Sequence, residues 1–235
     1  MKLGGSTRLV ALTGAGISAE SGIRTFRDSG GLWEQHAVED VATVEAFERN
    51  PSLVWTFYKQ RFEQAVQANP NPGHYALVEL ENYLGNNFSL ITQNVDNLHT
   101  LAGSRNIIEM HGNLYRCFCT ECDARFRMQE IDLTPDIPLC GKCGASLRPD
   151  IVWFGEIPYC LYEIEQKLKN CDVFLMIGTS GIVYPAAGFV MTAKYFGARI
   201  IAVNLEPMNN QSFVDEFHCG SAGQILPGLV KEWTG

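Results

Sequence analysis

The sequence lacks any long apolar run and any excess of positive charge. None of its 235 residues lies in a stretch approaching the roughly 20 consecutive apolar residues that a membrane-spanning helix needs, so no transmembrane segment is expected. Lys and Arg number 18 against 26 Asp and Glu, which gives a net charge of −8. Because an acidic surface repels phosphate backbones, we expect no direct contact with nucleic acid.

The sequence also shows no internal repeat, no low-complexity tract and no clear export signal. It opens with MKLGGSTRLVALTGAGISAE, a basic head and an apolar run that could suggest a signal peptide. Thr13, Gly14 and Gly16 interrupt the run, so a strand followed by a glycine turn fits better, and a cytoplasmic location is expected. The 46% of hydrophobic residues suffice for one large domain, or for a domain with a small insertion.

Short apolar strands alternate with helical patterns along most of the chain. The predicted strands begin the segments RLVALTGAGISAES, FSLITQNVD, NIIEMHG, CDVFLMIGTS and RIIAVNLEP. The predicted helices are PSLVWTFYKQRFEQAVQ, GHYALVELENYLG, PAAGFVMTAKYFGA and AGQILPGLVKEW, the last limited or bent by Pro227. This alternation predicts an α/β fold, with a mainly parallel sheet covered by helices on both faces.

Polar residues follow the predicted strands at their carboxyl ends. In open α/β sheets this edge binds ligands, so it is the predicted site. The residues are Thr13, Gly14, Gln93, Asn94, Asp96, Gly178, Thr179, Ser180, Asn204 and Glu206.

Two C-x-x-C pairs stand out among the eight cysteines. Cys119 and Cys122 are followed, after 17 residues, by Cys140 and Cys143. Paired knuckles of this kind bind tetrahedral Zn²⁺, and four thiolates leave no position for water or substrate, so we predict one structural zinc ion. Cys117 does not fit the spacing and is interpreted as a spare thiol.

The residues Gly14, Gly16 and Ala19 match the pattern G-x-G-x-x-A after an apolar strand. Small residues there let backbone N–H groups approach a pyrophosphate, but a plain tight turn gives the same pattern. An ordinary dinucleotide fold has an acidic residue about 20 positions on. Here an Arg-containing loop occupies that interval and the acidic candidate, Glu206, comes much later, which disfavours an ordinary dehydrogenase.

Taken together, these motifs resemble a known family. TGAGISAESGIRTFR, TQNVDNLH, MHG, the paired C-x-x-C, VWFGE, GTS and VNLE occur in the order and approximate spacing of the sirtuins, the NAD-dependent protein-lysine deacylases. The resemblance covers nearly the whole chain and is to compact bacterial or archaeal members, and a monomer is expected.

The resemblance implies two domains. The larger is a Rossmann-like NAD-binding domain built from residues 1–34, 71–113 and 149–235. The smaller combines a helical insertion, 35–70, with the Cys-rich zinc-binding module, 114–148. NAD, consumed as a co-substrate, and the acyl-lysine protein or peptide would meet in the cleft between them.

The resemblance also implies residue roles. Cofactor binding is implied for Gly14, Ala15, Gly16, Glu20, Arg24, Phe26, Arg27, Trp33, Gln93, Asn94, Val95, Asp96, Gly178, Thr179, Ser180, Asn204, Leu205, Glu206 and Ala222. The peptide would lie against a wall formed by Val152, Trp153, Phe154, Gly155 and Glu156, with Val183 on the other edge.

His111 is implied as the general base. Nicotinamide leaves after the acyl oxygen attacks C1′ of its ribose, and His111 acts through the ribose hydroxyls before lysine and O-acyl-ADP-ribose are released. A histidine suits this role because its pKa lies near working pH. Asn94 would position water or ribose, Asp96 would hold the nicotinamide amide and Phe26 would shield the intermediate. The alternative for His111 is a strand-end histidine whose ring is satisfied by backbone.

Tyr58 and Arg61 lie three residues apart on one face of a predicted helix. A guanidinium beside a phenol can bind a carboxylate, and in sirtuins this pair marks members that remove succinyl, malonyl or glutaryl groups. The alternative is a solvated helix face. Ser29 is small enough for such a pocket, but Asp28 could repel an acidic acyl group, so deacetylation is expected as well.

Two other functions stay open on the sequence. One is NAD-dependent mono-ADP-ribosylation of proteins on the same scaffold. The other is a non-enzymatic zinc-ribbon module that reads nucleic acid, against which the acidic charge and the lack of a basic stripe argue.

Overall fold

The computed structural model describes residues 1–23 and 36–235, together with the backbone of Leu32–Trp33. The strands are β1 (Leu9–Thr13), β2 (Leu32–Trp33), β3 (His36–Ala37), β4 (Phe88–Thr92), β5 (Ile107–Glu109), β6 (Gly112–Cys119), β7 (Arg125–Arg127), β8 (Leu147–Ile151), β9 (Val173–Ile177), β10 (Arg199–Asn204) and β11 (Glu216–Cys219). The α-helices are α1 (Val38–Val41), α2 (Val44–Arg49), α3 (Pro51–Gln67), α4 (Pro72–Leu84), α5 (Leu98–Ala102), α6 (Leu161–Asn170), α7 (Phe189–Tyr195) and α8 (Ala222–Thr234).

The main sheet is parallel, in the order β11-β10-β9-β1-β4-β5. After β1, the chain adds β4 and β5 on one side of β1. It then crosses over and adds β9, β10 and β11 in turn on the other side of β1. Leu9 of β1 lies opposite Phe88 of β4 and Val173 of β9. The chain order therefore reverses between β1 and β9, which is where doubly wound sheets bind their ligands.

Helices cover both faces of this sheet, which confirms the predicted α/β fold. Leu9 and Ala11 contribute to a core cluster with α4 and α8, whereas Val10 and Leu12 contribute to a cluster with α6 and α7. Because each strand is buried on both faces, its residues form a continuous apolar run rather than an alternating one.

The cysteine-rich segment forms a second, antiparallel sheet in the order β7-β6-β8. Helix α3 packs beside it: Trp55 and Phe62 join the cluster around the cysteines, and the Trp55 indole donates to the Leu147 carbonyl at 2.8 Å. The two inserted segments thus pack together. The strands β6 and β8 extend beyond 114–148 toward the main sheet, and the domain boundaries stay a prediction.

Helix ends largely match the sequence signals. Helix α3 begins at Pro51, with the Asn50 side chain accepting from the Leu53 N–H, and α4 ends at the cap Gly85. Pro227 lies inside α8 and does not end it, so the interpretation of Pro227 as a helix limit is wrong. A proline at this position lacks the N–H for one helical hydrogen bond and crowds the carbonyl four residues earlier, but the helix continues through it to Thr234.

Helix α6 was not predicted from the pattern. Its buried side chains Ile164 and Leu168 are one helical turn apart, and two apolar positions are too few to establish a helical period from the sequence. Across the described residues, no helix combines the length and apolarity needed to cross a bilayer.

Candidate active site

Three glycines bring the loops after β1 and β9 into backbone contact. Gly14 N–H donates to the Ile177 carbonyl at 2.9 Å, and Gly16 N–H to the Gly178 carbonyl at 2.8 Å. A Cβ on Gly16 would lie 2.6 Å from the Gly178 Cα, and Gly178 itself has a φ of +58°. The loop packing alone therefore requires the glycine pattern, so a role in pyrophosphate binding stays a prediction.

A buried polar network lies behind this turn. Ser18 Oγ donates to Asp96 at 2.7 Å, and the Asn94 amide donates to Ser18 Oγ and to the Gly14 carbonyl, both at 3.1 Å. The other Asp96 oxygen accepts the Leu98 N–H at 3.0 Å. Burial raises the pKa of Asp96, while the Ser18 and Leu98 hydrogen bonds oppose the shift. Asp96 thus holds the loop together, in addition to any contact with a ligand.

The ends of β4, β9 and β10 converge as predicted. The Gln93 amide donates to Thr179 Oγ1 at 3.0 Å, and the Asn204 amide donates to the Thr179 carbonyl at 3.1 Å. Ser180 follows in the same loop, where its hydroxyl accepts the Ile182 N–H at 3.4 Å. Polar side chains from three strands therefore meet at one edge of the sheet.

Glu20 lies at the start of α8. Its two carboxylate oxygens accept from Ser221 Oγ at 2.8 Å and from the Gly223 N–H at 2.7 Å. A carboxylate at a helix N-terminus satisfies a free N–H and complements the helix dipole. Glu20 thus joins the first loop to the last helix, beside the buried Ala222.

The remaining implied cofactor residues are distributed as follows. Leu205 and Glu206 are exposed after β10. Val95 is partly buried, and its carbonyl accepts the Leu114 N–H at 2.8 Å. Outside the described residues lie Arg24, Phe26, Arg27, Asp28, Ser29 and the side chain of Trp33.

His111 lies between β5 and β6, partly buried, with its Nδ1 3.1 Å from the Gln93 carbonyl oxygen. Because a carbonyl only accepts, Nδ1 carries the ring proton and Nε2 keeps a lone pair. One ring nitrogen is thus satisfied by backbone, as the alternative interpretation has it, and the other is suited to accept a proton. Burial lowers the pKa of His111, and the hydrogen bond to Gln93 partly opposes this.

Gly112 fixes the chain directly after His111. It has a φ of +83°, and a Cβ there would lie 2.0 Å from the Asp150 carbonyl oxygen. The Val152 N–H donates to the His111 carbonyl at 3.0 Å. The histidine is therefore held where the predicted peptide wall begins.

The four predicted zinc ligands form one cluster. The sulfur atoms of Cys119, Cys122, Cys140 and Cys143 all lie within 4.8 Å of one another. The Cys119–Cys143 and Cys122–Cys140 sulfurs are 3.4 and 3.7 Å apart. Zn–S bonds of about 2.3 Å in a tetrahedron place sulfurs roughly 3.8 Å apart, so the cluster fits Zn²⁺.

Cys117 and His111, the other two candidate metal ligands nearby, do not belong to this cluster. Cys117 is buried, and its sulfur lies 3.9 Å from the Phe126 carbonyl oxygen, a contact consistent with a spare thiol. Burial raises the pKa of Cys117 to about 12. His111 bonds to Gln93 instead, so the histidine and the metal site are separate.

Tyr58 and Arg61 face the interior. Tyr58 is fully buried and Arg61 is 8% exposed, so the interpretation of this pair as a solvated helix face is wrong. The Trp153 indole N–H donates to the Tyr58 hydroxyl at 2.9 Å. Tyr58, one of the two residues predicted to recognise the acyl group, is therefore in direct contact with Trp153 of the predicted peptide wall.

The rest of the wall is more open. Phe154 is 51% exposed, and its N–H donates to the Ala42 carbonyl at 3.0 Å. Gly155 has a φ of +91°, and Val183, on the other predicted edge, is 40% exposed. Exposed apolar side chains of this kind suit contact with an extended peptide.

Sequence reasoning missed a pair of buried histidines below the first loop. Thr13 Oγ1 donates to Thr92 and accepts from His99 Nε2, both at 2.9 Å, and the His99 and His74 rings are 4.8 Å apart. Burial lowers the pKa of His99 to about 3 and that of His74 to about 4. Nothing local in the sequence indicates this pairing of His99 with His74.

Asn71 was also missed. Its amide nitrogen donates to the Ile17 carbonyl at 2.7 Å and to Ser21 Oγ at 2.9 Å, while its oxygen accepts the Gly73 N–H at 2.9 Å. An Asn directly before the Pro that opens a helix is a recognisable N-cap signal, which identifies the cap but not its contact with the loop.

Comparison with known proteins shows extensive similarity. A family model described as Sir2 family matches residues 14–185. A Bdellovibrio bacteriovorus protein named NAD-dependent protein deacylase is 53% identical over 229 residues, covering 96% of each chain. A Pyrococcus furiosus protein of the same name is 48% identical, covering 97% of this chain and 93% of the relative.

Solved structures agree. A Sir2 homolog–NAD complex has a TM-score of 0.88 at 42% identity, covering 95% of this chain and 88% of that chain. A Sir2 structure with deacetylated p53 peptide and 3′-O-acetyl ADP ribose has a TM-score of 0.85 at 29% identity, covering 95% and 92%. The likeness thus includes the helical insertion and the cysteine module.

Proposed function

The chain belongs to the Sir2 family, and on that basis we propose that it is an NAD-dependent protein-lysine deacylase. The observation that carries the proposal is the position of His111, with Nδ1 bound to Gln93 at the strand-end edge and its backbone bound to the start of the peptide wall. Relatives about half identical to this chain carry the name NAD-dependent protein deacylase, which supports the assignment.

NAD supplies an ADP-ribosyl group that accepts the acyl group when nicotinamide leaves. The loops after β1, β4, β9 and β10 would hold it through Gly14, Gln93, Asn94, Thr179 and Asn204, which already meet there. The exposed Leu205 and Glu206 and the buried Ala222 extend this edge toward α8. Small residues and backbone amides at such an edge suit a dinucleotide.

His111 is the proposed general base. Its lowered pKa keeps the ring neutral at pH 7, and Nε2 is the nitrogen with the lone pair. Asn94 is proposed to position water or ribose from the glycine turn that its amide already contacts. Asp96 is proposed to support both the loop and the nicotinamide amide. The four cysteines have a structural role, because a filled tetrahedron offers no site for substrate.

The proposed acyl preference extends to succinyl and malonyl groups. Tyr58 and Arg61 are buried beside the wall residue Trp153, and an indole N–H can only donate. The phenol oxygen is therefore the acceptor, and its own proton can be donated to a carboxylate. A charge-assisted bond of this kind gains about 1.5–3 kcal/mol.

The test is a parallel assay of nicotinamide release with acetyl- and succinyl-lysine peptides. Wild type should require a peptide, and Arg61→Met should reduce desuccinylation at least about tenfold more than deacetylation. Equal losses would show that Arg61 only supports the fold. Nicotinamide release without peptide, with ADP-ribose attached to protein, would favour mono-ADP-ribosylation instead.

The histidine is tested by His111→Tyr. We expect turnover to be lost while one zinc ion per chain is retained, because His111 lies outside the cysteine cluster. Turnover at the wild-type rate would refute the assignment of His111 as the base.

A further inference from the structure

Arg148, the second residue of β8, places its guanidinium over two aromatic rings. Its guanidinium carbon is 3.6 Å from the centroid of the Trp153 ring and 5.3 Å from that of Phe118. Only 12% of the side chain is exposed. A guanidinium at these distances stacks on the ring face, so the Trp153 ring cannot turn without losing the contact.

Glu156 ties the same two residues together. Its carboxylate forms an ion pair with Arg148 and accepts the Trp153 backbone N–H at 2.8 Å. Arg148 also donates to the Ile151 carbonyl at 3.2 Å. Trp153 is thus held through both its backbone and its ring, and the positive charge of Arg148 is balanced within the group.

The indole N–H of Trp153 contacts the acyl-recognition pair. Trp153 Nε1 donates to the fully buried Tyr58 hydroxyl at 2.9 Å. Because this bond occupies the acceptor side of the phenol, the direction in which Tyr58 presents its proton depends on the position of the indole.

Arg148 is the last residue of the cysteine module (114–148). Arg148 pairs with Phe118 across β6 and β8, and the preceding pair joins Leu147 to the zinc ligand Cys119. The residue that stacks on the wall is therefore anchored one position away from the metal site.

We propose that Arg148 is a positioning residue for acyl selectivity: it fixes the Trp153 indole so that Tyr58 presents its hydroxyl proton to the carboxylate of an acidic acyl-lysine. This inference rests on the proposed preference for acidic acyl groups. Arg148 acts through Trp153 and does not bind the acyl group itself.

The positioning step is tested without any substrate. The chain has four tryptophans, and the Trp153 indole N–H signal in an NMR spectrum is identified by its loss in Trp153→Phe. In Arg148→Met we expect this signal to shift and its protection from hydrogen exchange to fall about tenfold, the scale of one hydrogen bond. An unchanged signal would overturn the inference.

Arg125→Met is the matched control. The Arg125 guanidinium lies over the same Phe118 ring at 5.6 Å, but it pairs with Asp150 at 3.2 Å instead of stacking on Trp153. The Trp153 signal should stay in place in this variant. An equal shift in both variants would mean that Arg148 only supports the module.

The selectivity step is tested by the ratio of kcat/KM for succinyl- over acetyl-lysine peptides. In Arg148→Met the ratio should fall about tenfold, mainly through KM, and adding Tyr58→Phe should lower it no further. An unchanged ratio, or additive losses, would overturn the role of Arg148. Absence of desuccinylation in wild type would instead overturn the acyl preference, which separates the two failures.

Arg148→Lys covers the case in which Arg148→Met does not fold. Lysine keeps a charge for Glu156 but cannot stack as a planar group, so the same loss of indole protection and of selectivity is expected. Wild-type behaviour in Arg148→Lys would show that the ion pair alone matters and would contradict the stacking role.

Discussion

The strand-end cleft and the cysteine module hold their side chains in place by different means. In the cleft, Ser18, Asn94, Thr179 and Asn204 come from segments far apart in sequence and meet because parallel strands end at one edge. In the module, four cysteines within 25 consecutive residues converge through two short knuckles. One geometry depends on the pairing of the whole sheet, and the other on local spacing and a metal ion.

The two regions meet at Gly112 and at β8. His111 precedes the first strand of the module, and Arg148 follows its last cysteine by five residues. In the proposed mechanism the metal site takes no part in the chemistry, yet the cysteine module is continuous with the segments that lead to the proposed base and to the predicted peptide wall. Perturbing each region separately should show whether the cleft and the cysteine module hold their side chains in place independently.

The largest effect is expected from Cys140→Ser. Structural zinc contributes on the order of 10 kcal/mol to such modules, so the variant should lose the ion, and β6–β8 should lose protection from hydrogen exchange. Strands β1, β4 and β9 should keep theirs, since their core lies elsewhere. Zinc analysis with hydrogen-exchange mass spectrometry measures both.

Cys117→Ser is the control for that variant. Cys117 lies outside the cluster, so the zinc content should stay at one per chain. Loss of protection throughout the main sheet in Cys140→Ser would show that the two regions are not independent.

Gly112→Ala perturbs the junction. The new Cβ would lie 2.0 Å from the Asp150 oxygen, at a φ of +83°, so β6 and β8 must separate. We expect a loss of about 3 kcal/mol in the free energy of unfolding, together with reduced turnover. Gly197→Ala, at a φ of +90° with open space around it, should cost only about 1 kcal/mol. Equal costs in chemical denaturation would mean that the contact with Asp150 is unimportant.

Local signals made much of this architecture predictable. Helix α3 covers the segment predicted for it, and the cysteine spacing identified the metal cluster. The alternation of strands and helices predicted which strand ends would meet, and the contact of Gln93 with Thr179 confirms it.

Contacts between distant residues could not be predicted. Nothing near Thr13 indicates His99, and nothing near Arg148 indicates Trp153, because each partner is selected by packing in three dimensions. The glycine pattern shows the same limit: the requirement for Gly16 comes from the backbone of Gly178, which no local motif reveals.

A more gradual effect, smaller per pH unit, is expected from the buried His74 of the cleft region when the pH is lowered. His74 has a pKa of about 4 in the folded protein against 6.5 for an ordinary histidine, so the unfolded chain takes up its proton first as pH falls. Its contribution to stability is complete above pH 6.5 and is lost between 6.5 and 4, with a slope of at most about 1.4 kcal/mol per pH unit.

His74→Gln should therefore flatten the dependence of unfolding free energy on pH in that interval. His218→Gln, partly buried beside Glu216, is the control and should leave the His74 contribution in place. The same slope in wild type and His74→Gln would show that the buried ring is not kept neutral.

The pH dependence of single-turnover deacylation tests the central claim most directly, that a neutral His111 with its free Nε2 is the base. Because burial lowers the pKa of His111, the rate should fall on the acid side with a midpoint below 6.5. An acid midpoint above 6.5, or a rate that stays constant at every acid pH at which the protein remains folded, would contradict the account.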